Sequence, residues 1–144
     1  MPQIREIMTP NVEVIRPDTP LQEAARKMKD LDVGVMPVCD GDRLVGMLTD
    51  RDITVRATAE GRDPKSTQTR DVMTPSVAYC YEDQDVRDAA RMMEDAQIRR
   101  LPIVSREKRL VGIVSLGDLA VETGDDRLTG ETLESISEPS QPNL

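Results

Sequence analysis

Two hydroxyl–carboxylate pairs at the same spacing are the residues of this sequence best suited to chemistry. Residues 43–52 read RLVGMLTDRD and residues 109–118 read RLVGIVSLGD, so Thr49 precedes Asp52, and Ser115 precedes Asp118, by three positions. At the start of a helix, a hydroxyl beside unpaired backbone N–H groups suits a phosphate, and a carboxylate accepts hydrogen bonds from ligand hydroxyls. The same residue types at this spacing also form a helix cap. The pattern leaves both interpretations open.

The composition narrows the possible functions. The 144 residues contain no histidine, which removes the commonest general base and metal ligand, so we expect neither an enzyme nor a metal site. A net charge of -8 and an aromatic content of 1% disfavour nucleic-acid binding. A small anionic ligand remains compatible, because a few local arginines outweigh a diffuse field that salt screens over about 10 Å.

The cysteines and the hydropathy indicate the cellular setting. Cys39 and Cys80 lie in short apolar runs without metal-ligand or redox spacing, so we expect buried free thiols. No apolar run approaches the ~18 residues of a membrane span, and the N-terminus does not resemble a signal peptide. The sequence therefore predicts a cytoplasmic protein without a membrane partner.

Nearly the whole chain before its C-terminal tail is an internal repeat. The tripeptide Met8-Thr9-Pro10 recurs 65 residues later as Met73-Thr74-Pro75, and the match extends through the opening decapeptides. Apolar residues at helical spacing from Leu21 and from Val86 predict an amphipathic helix in each copy, with Thr19 as the N-cap of the first. Each copy is predicted as β-α-β-β-α, with strands at 12–15, 35–39 and 44–48 in the first and 77–81, 101–104 and 110–114 in the second, and second helices at 50–59 and 117–121.

These elements predict a mixed α/β (α+β) fold of two repeats related by pseudo-two-fold symmetry. The repeats should pack on each other, because about 60 residues alone bury too little surface to be stable. We expect a first domain over 1–62, a linker over 63–69 and a second domain over 70–122. Residues 123–144 are acidic and polar with little apolar periodicity, which predicts a disordered tail.

The layout resembles a tandem pair of cystathionine-β-synthase (CBS) domains, called a Bateman module. The resemblance covers residues 1 to about 122 and rests on three features present twice, in order. They are the Met-Thr-Pro segment, an apolar-Pro-apolar strand (Met36-Pro37-Val38; Leu101-Pro102-Ile103), and a Gly-x-x-Thr/Ser-x-x-Asp segment that begins at Gly46 and at Gly112.

The resemblance implies a sensor that binds an adenine ligand (AMP, ADP, ATP, S-adenosylmethionine or NADH) in clefts between the domains, without a permanent cofactor. Asp52 and Asp118 would accept the ribose hydroxyls, and Thr49 and Ser115 would contact phosphate. Arg99 and Arg100, which stand only in the second copy, would also face phosphate, unless they are simply solvated. The remaining implied contacts come from Thr9 and Thr74 of the Met-Thr-Pro segments and from Met36, Pro37, Leu101 and Pro102 of the strands, for which core packing is the other interpretation.

The resemblance further implies a homodimer that changes conformation or partner affinity when ligand binds. The alternative is a structural or protein-interaction dimer that binds no nucleotide, in which the hydroxyl–carboxylate pairs are only caps. A further protein partner is compatible with either function, but no motif identifies it.

Overall fold

The computed structural model describes residues 2–75 and 77–139. These residues form five α-helices and six strands, together with short 3₁₀ turns and one π-helical segment, Ile53–Thr58. In chain order the elements are β1 (Thr9–Pro10), α1 (Leu21–Leu31), β2 (Val35–Asp40), β3 (Arg43–Thr49), α2 (Asp50–Asp52), β4 (Cys80–Tyr81), α3 (Val86–Ala96), β5 (Arg100–Val104), β6 (Leu110–Ser115), α4 (Leu116–Thr123) and α5 (Asp126–Ile136). The mixed α+β class predicted from the sequence is confirmed.

The chain divides into two compact units whose limits differ from those of the sequence repeats. The central unit is Glu13–Val77, and the composite unit joins the residues up to Val12 with those from Ala78 onward. The first Met-Thr-Pro segment therefore lies in the unit that contains the second copy's hairpin, and the second such segment lies with the first copy's hairpin. The predicted boundaries at 62 and 70 thus describe the sequence repeat, whereas backbone pairing defines the compact units.

The central unit packs α1 against an antiparallel hairpin. Strands β2 and β3 pair from Val35 opposite Thr49 to Asp40 opposite Arg43, which confirms the predicted hairpin. The helix buries Leu21, Ala24 and Met28, as its apolar spacing predicts. Burial of this aliphatic stripe against the hairpin provides the unit's core.

The start of α1 differs from the prediction. Its N-cap is Pro20 and no side chain caps it, while the Thr19 hydroxyl accepts a hydrogen bond from the Arg16 N–H instead. The Leu21 N–H donates to the Thr67 carbonyl and the Gln22 N–H to the Pro64 carbonyl, both at 3.0 Å. Carbonyls of the predicted linker thus satisfy the first N–H groups of the helix, so this segment is part of the fold.

The composite unit contains a four-stranded sheet in the order β1-β6-β5-β4. Only the β4–β5 pair is parallel. Helix α3 contributes four buried residues to the aliphatic core of this unit, namely Val86, Ala89, Ala90 and Met93. The predicted strand at 77–81 is shorter in the structure, and in the central unit the corresponding stretch pairs only through Ile15 with Val38.

Residues 126–136 form α5, whereas the sequence predicted a disordered tail from 123. Asp125 caps this helix by accepting a hydrogen bond from the Leu128 N–H at 2.9 Å. Leu128 and Ile136 join the core of the composite unit, and Thr132 between them is fully buried. The apolar signal was weak because Thr132 occupies the middle of the inward-facing row. Residues 140–144 of the predicted tail lie outside the described residues.

The second helix of each copy is not regular in the same way. After three α-helical residues the first copy continues as the π-helical segment, whereas α4 of the second copy is α-helical throughout.

None of the helices in residues 2–75 and 77–139 is long and apolar enough to cross a membrane. Cys39 and Cys80 are buried free thiols, as predicted.

Candidate functional site

In both units, three residues stand opposite one another on neighbouring extended segments, and this arrangement brings predicted site residues together. In the central unit, Met47 of β3 stands opposite Pro37 on one side and Thr74 on the other. In the composite unit, Ile113 of β6 stands between Pro102 and Thr9 in the same way. Each predicted threonine is thus placed beside the hairpin of the other sequence copy.

A glycine in the last hairpin strand permits this close approach. A β-carbon on Gly112 would stand 2.7 Å from both the Thr9 carbonyl oxygen and the Met8 sulfur. On Gly46 it would stand 2.8 Å from the Thr74 carbonyl oxygen. Real β-carbons do not approach other atoms so closely, so the glycine of the Gly-x-x-Thr/Ser-x-x-Asp segment serves backbone packing.

Both hydroxyl–carboxylate pairs are reciprocal helix caps. The Asp52 N–H donates to the Thr49 hydroxyl at 2.9 Å, and the Thr49 N–H donates to Asp52 Oδ2 at 3.0 Å. The matching distances for Ser115 and Asp118 are 3.0 and 2.8 Å. The capping interpretation is therefore confirmed in both copies. A carboxylate has about four lone-pair sites, however, so a cap leaves Oδ1 able to accept from a ligand.

The two carboxylates have different electrostatic surroundings. Asp52 Oδ1 lies 3.8 Å from Arg56 Nε, one helical turn along the chain, and its side chain is only 11% exposed. The position one turn after Asp118 is Glu122, and within the described residues Asp118 has no ion pair. Asp52 is therefore partly neutralised by its own helix, whereas Asp118 is not.

Arg99 and Arg100 lie beside the second pair. Arg100 stands opposite Ser115 across the hairpin, and the Arg99 carbonyl accepts the N–H of Leu116 at 2.9 Å. Both arginines are exposed, and the described part of the chain offers neither guanidinium a hydrogen-bond or ion-pair partner. Two free cations therefore flank the start of α4.

The strand residues predicted to line an adenine slot are mostly core residues. Met36 is 2% exposed and Leu101 is fully buried, and both belong to their units' hydrophobic cores. Pro37 and Pro102 are also buried. The core interpretation is confirmed for the side chains of Met36 and Leu101, while Thr49, Thr74, Ser115 and Asp118 keep part of their surface accessible.

Sequence reasoning missed one residue at the first site, Asp50. Its Oδ1 accepts a hydrogen bond from the Arg51 N–H at 2.8 Å, so the chain itself places an anion at the start of α2. The matching residue in the second copy is Leu116, which cannot do so. The difference was visible in the aligned decapeptides, TDRD against SLGD, but its consequence depends on the helix geometry.

The part of the chain that the structure describes has no cluster of metal ligands. Across residues 2–75 and 77–139, no group of three or more Cys, Asp or Glu side chains is arranged to hold a metal ion. The first site offers two carboxylates and one hydroxyl, whereas the second site offers one carboxylate, one hydroxyl and two arginines. The second set suits an organic ligand with hydroxyl and anionic groups.

Two units that each follow an antiparallel hairpin with a capped hydroxyl–carboxylate pair define a tandem-repeat α+β protein. The CBS domain family model matches residues 4–57 and 70–123, and the chain belongs to this family as a tandem CBS pair. It is 43% identical over 137 residues to the CBS domain-containing protein YhcV of Bacillus subtilis, covering 95% of this chain and 96% of YhcV.

Two solved structures are similar to this one. Hypoxic Response Protein I of Mycobacterium tuberculosis, solved with two coordinated zinc ions, gives a TM-score of 0.77 at 37% identity, over 83% of this chain and 97% of that one. CBSX2 of Arabidopsis thaliana, in complex with AMP, gives 0.72 at 28% identity, over 84% and 95%. A nucleotide is thus a known ligand within the family.

Proposed function

We propose that this protein is a regulatory module that binds an adenine nucleotide such as AMP at the start of α4 and is not an enzyme. The observation that carries the proposal is the pair Arg99 and Arg100 beside the Ser115–Asp118 cap, whose guanidinium groups have no hydrogen-bond or ion-pair partner among the described residues. The complex of the related CBSX2 with AMP supports the ligand class.

Each proposed contact has a physical basis. Asp118 Oδ2 caps the helix, which leaves Oδ1 to accept from a ribose hydroxyl. Gly117 lies in the first helical turn, where its N–H has no intrahelical acceptor, and α4 directs its positive end toward the same place. The guanidinium groups provide the planar donors that phosphate oxygens favour. Backbone groups of the Leu101–Pro102 stretch would contact the base edge under this proposal.

Asp118→Asn tests the proposal while preserving the fold. The asparagine side-chain oxygen still accepts from the Ser115 N–H, so the cap is retained, but the charge that favours ribose hydroxyls is lost. In a thermal-shift panel of AMP, ADP, ATP, S-adenosylmethionine and NADH, a ligand at 100 times its Kd stabilises the wild type by about 2.7 kcal/mol. We expect that stabilisation to fall strongly in Asp118→Asn and in Arg99→Gln.

Thr49→Ala is the matched control, because it removes the equivalent cap hydroxyl of the first copy and leaves the second site unchanged. Its unliganded Tm should fall while a nucleotide still raises that Tm. The absence of a shift with every ligand, for a folded wild-type protein, would contradict the proposed function.

A dimer that binds no nucleotide is the second candidate, favoured by the fact that both hydroxyl–carboxylate pairs are already hydrogen-bonded as caps. Val55 and Val121 occupy the same position in the two copies and are 47% and 79% exposed. Exposed valines at matched helix positions suit an isologous contact with a second chain. We expect a homodimer under both functions. Sedimentation of Val121→Asp, which should be monomeric, tests this expectation.

We also expect a cytoplasmic location, since both cysteines are free.

A further inference from the structure

We infer that Asp50 acts as a built-in anion that excludes phosphate from the first site, so that each chain binds one phosphorylated nucleotide, at the second site. This inference rests on the proposed function and names which copy carries it. The starting observation is the hydrogen bond from the Arg51 N–H to Asp50 Oδ1, at 2.8 Å. A backbone N–H in the first turn is the kind of donor that a phosphate oxygen would require.

The two copies are built alike up to this point, which makes the difference informative. The Asp50 N–H donates to the Gly34 carbonyl at 2.9 Å, and the Leu116 N–H donates to the Arg99 carbonyl at the same distance. The hairpins therefore present Gly34 and Arg99 at equivalent places beside equivalent caps. Only the side chains differ, with Gly34 beside Asp50 in one copy and Arg99 beside Leu116 in the other.

The two differing positions lie side by side in the first copy. A β-carbon on Gly34 would stand 3.1 Å from Asp50 Oδ2, a contact tighter than side chains normally make. The Asp50 carboxylate thus lies where the side chain of an arginine at position 34 would begin. At these paired positions the first copy has glycine and a carboxylate, and the second copy has arginine and leucine.

Electrostatics then decides which ligand each site accepts. A phosphate at the start of α2 would lie close to the Asp50 carboxylate, and like charges at such distances repel even where solvent screens them. Arg56 pairs with Asp52 and donates to the Val72 and Met73 carbonyls, and neither it nor Arg51 forms an ion pair with Asp50 in the described part of the chain. The first site therefore accepts at most an uncharged nucleoside.

Leu116→Asp and Leu116→Asn, measured with AMP and adenosine by calorimetry, test the inference at the second site. Aspartate reproduces the Asp50 arrangement, and asparagine has the same shape without the charge. We expect Leu116→Asp to bind AMP about ten- to a hundredfold more weakly than Leu116→Asn. Adenosine should bind the two variants equally. Equal AMP affinity in the two variants would overturn the inference.

The reciprocal change tests the first site. Wild-type protein should bind one AMP per chain, and the double variant Gly34→Arg with Asp50→Leu should bind two. Circular dichroism and thermal unfolding establish that each variant is folded. Two equal AMP sites in the wild type, or one in the folded double variant, would overturn the role of Asp50 and leave the proposed function standing. A wild type that binds no adenine nucleotide would contradict both.

Discussion

Gly112 lies against the Thr9 carbonyl oxygen so closely that a β-carbon would stand 2.7 Å from it. Gly112→Ala and Gly46→Ala should therefore destabilise the protein by about 1–3 kcal/mol, because backbone must move to admit the methyl group. Urea unfolding measures the loss.

Gly130 provides the matched control for this prediction. It lies in α5, and apart from its chain neighbours and its own helix backbone no atom comes within 4 Å of the place its β-carbon would take. Gly130→Ala should stabilise the protein by about 0.5–1 kcal/mol through the lower conformational entropy of the unfolded chain. Similar effects at positions 112 and 130 would show that the close approach of Thr9 is unimportant.

The caps make separable contributions to stability. Ser115→Ala and Thr49→Ala each remove a hydroxyl that accepts a helix N–H, which should cost about 0.5–2 kcal/mol. Asp118→Asn should cost less, since its side-chain oxygen still accepts from the Ser115 N–H. The measurement is the urea midpoint of each variant, and a larger loss in Asp118→Asn than in Ser115→Ala would contradict the cap geometry.

Helix α5 should prove to be part of the folded unit. Ile136 is 9% exposed, so Ile136→Ala should cost about 2–4 kcal/mol. Leu133 lies on the same helix but is 42% exposed, and Leu133→Ala should cost well under half as much. Thermal unfolding of the two variants compares them, and equal Tm values would mean that α5 does not pack against α3.

The cysteines should make stability fall at high pH. Burial raises the pKa of Cys39 and of Cys80 to about 11, with smaller contributions from Asp42 and Asp88 respectively. Below pH 9 each thiol is protonated in both the folded and unfolded states, so it has no effect. Between pH 9 and 11 the unfolded thiol ionises while the folded one does not, which costs about 1.4 kcal/mol for each thiol and pH unit.

Urea unfolding at pH 8, 9 and 10 checks this expectation. A Cys39→Ala, Cys80→Ala protein should lose less stability over that range than the wild type does. A thiol reagent added to native protein at pH 8 should react slowly with both groups. Rapid reaction of either thiol would contradict its burial.

The repeat, both hairpins and both amphipathic helices could be predicted from the sequence, because each has a period or motif that local physics fixes. The caps at Thr49 and Ser115 were also visible as a pattern. The sequence could not show that Thr9 pairs beside Ile113, because that contact joins residues far apart along the chain. The effect of Asp50 could not be predicted, because it depends on the direction of the Arg51 N–H. Helix α5 was not predicted because a buried threonine interrupts its apolar row.

The pairing of β1 with β6 has a consequence for the order in which the chain assembles during synthesis. The central unit is one continuous stretch, so all of its backbone pairings can form once residues 13–77 have left the ribosome. The strand that contains Thr9 has no partner until Ile113, more than a hundred residues later, has been synthesised. The strand at Thr9–Pro10 thus emerges before the central unit but pairs after it, and until then it is exposed to aggregation or to a chaperone.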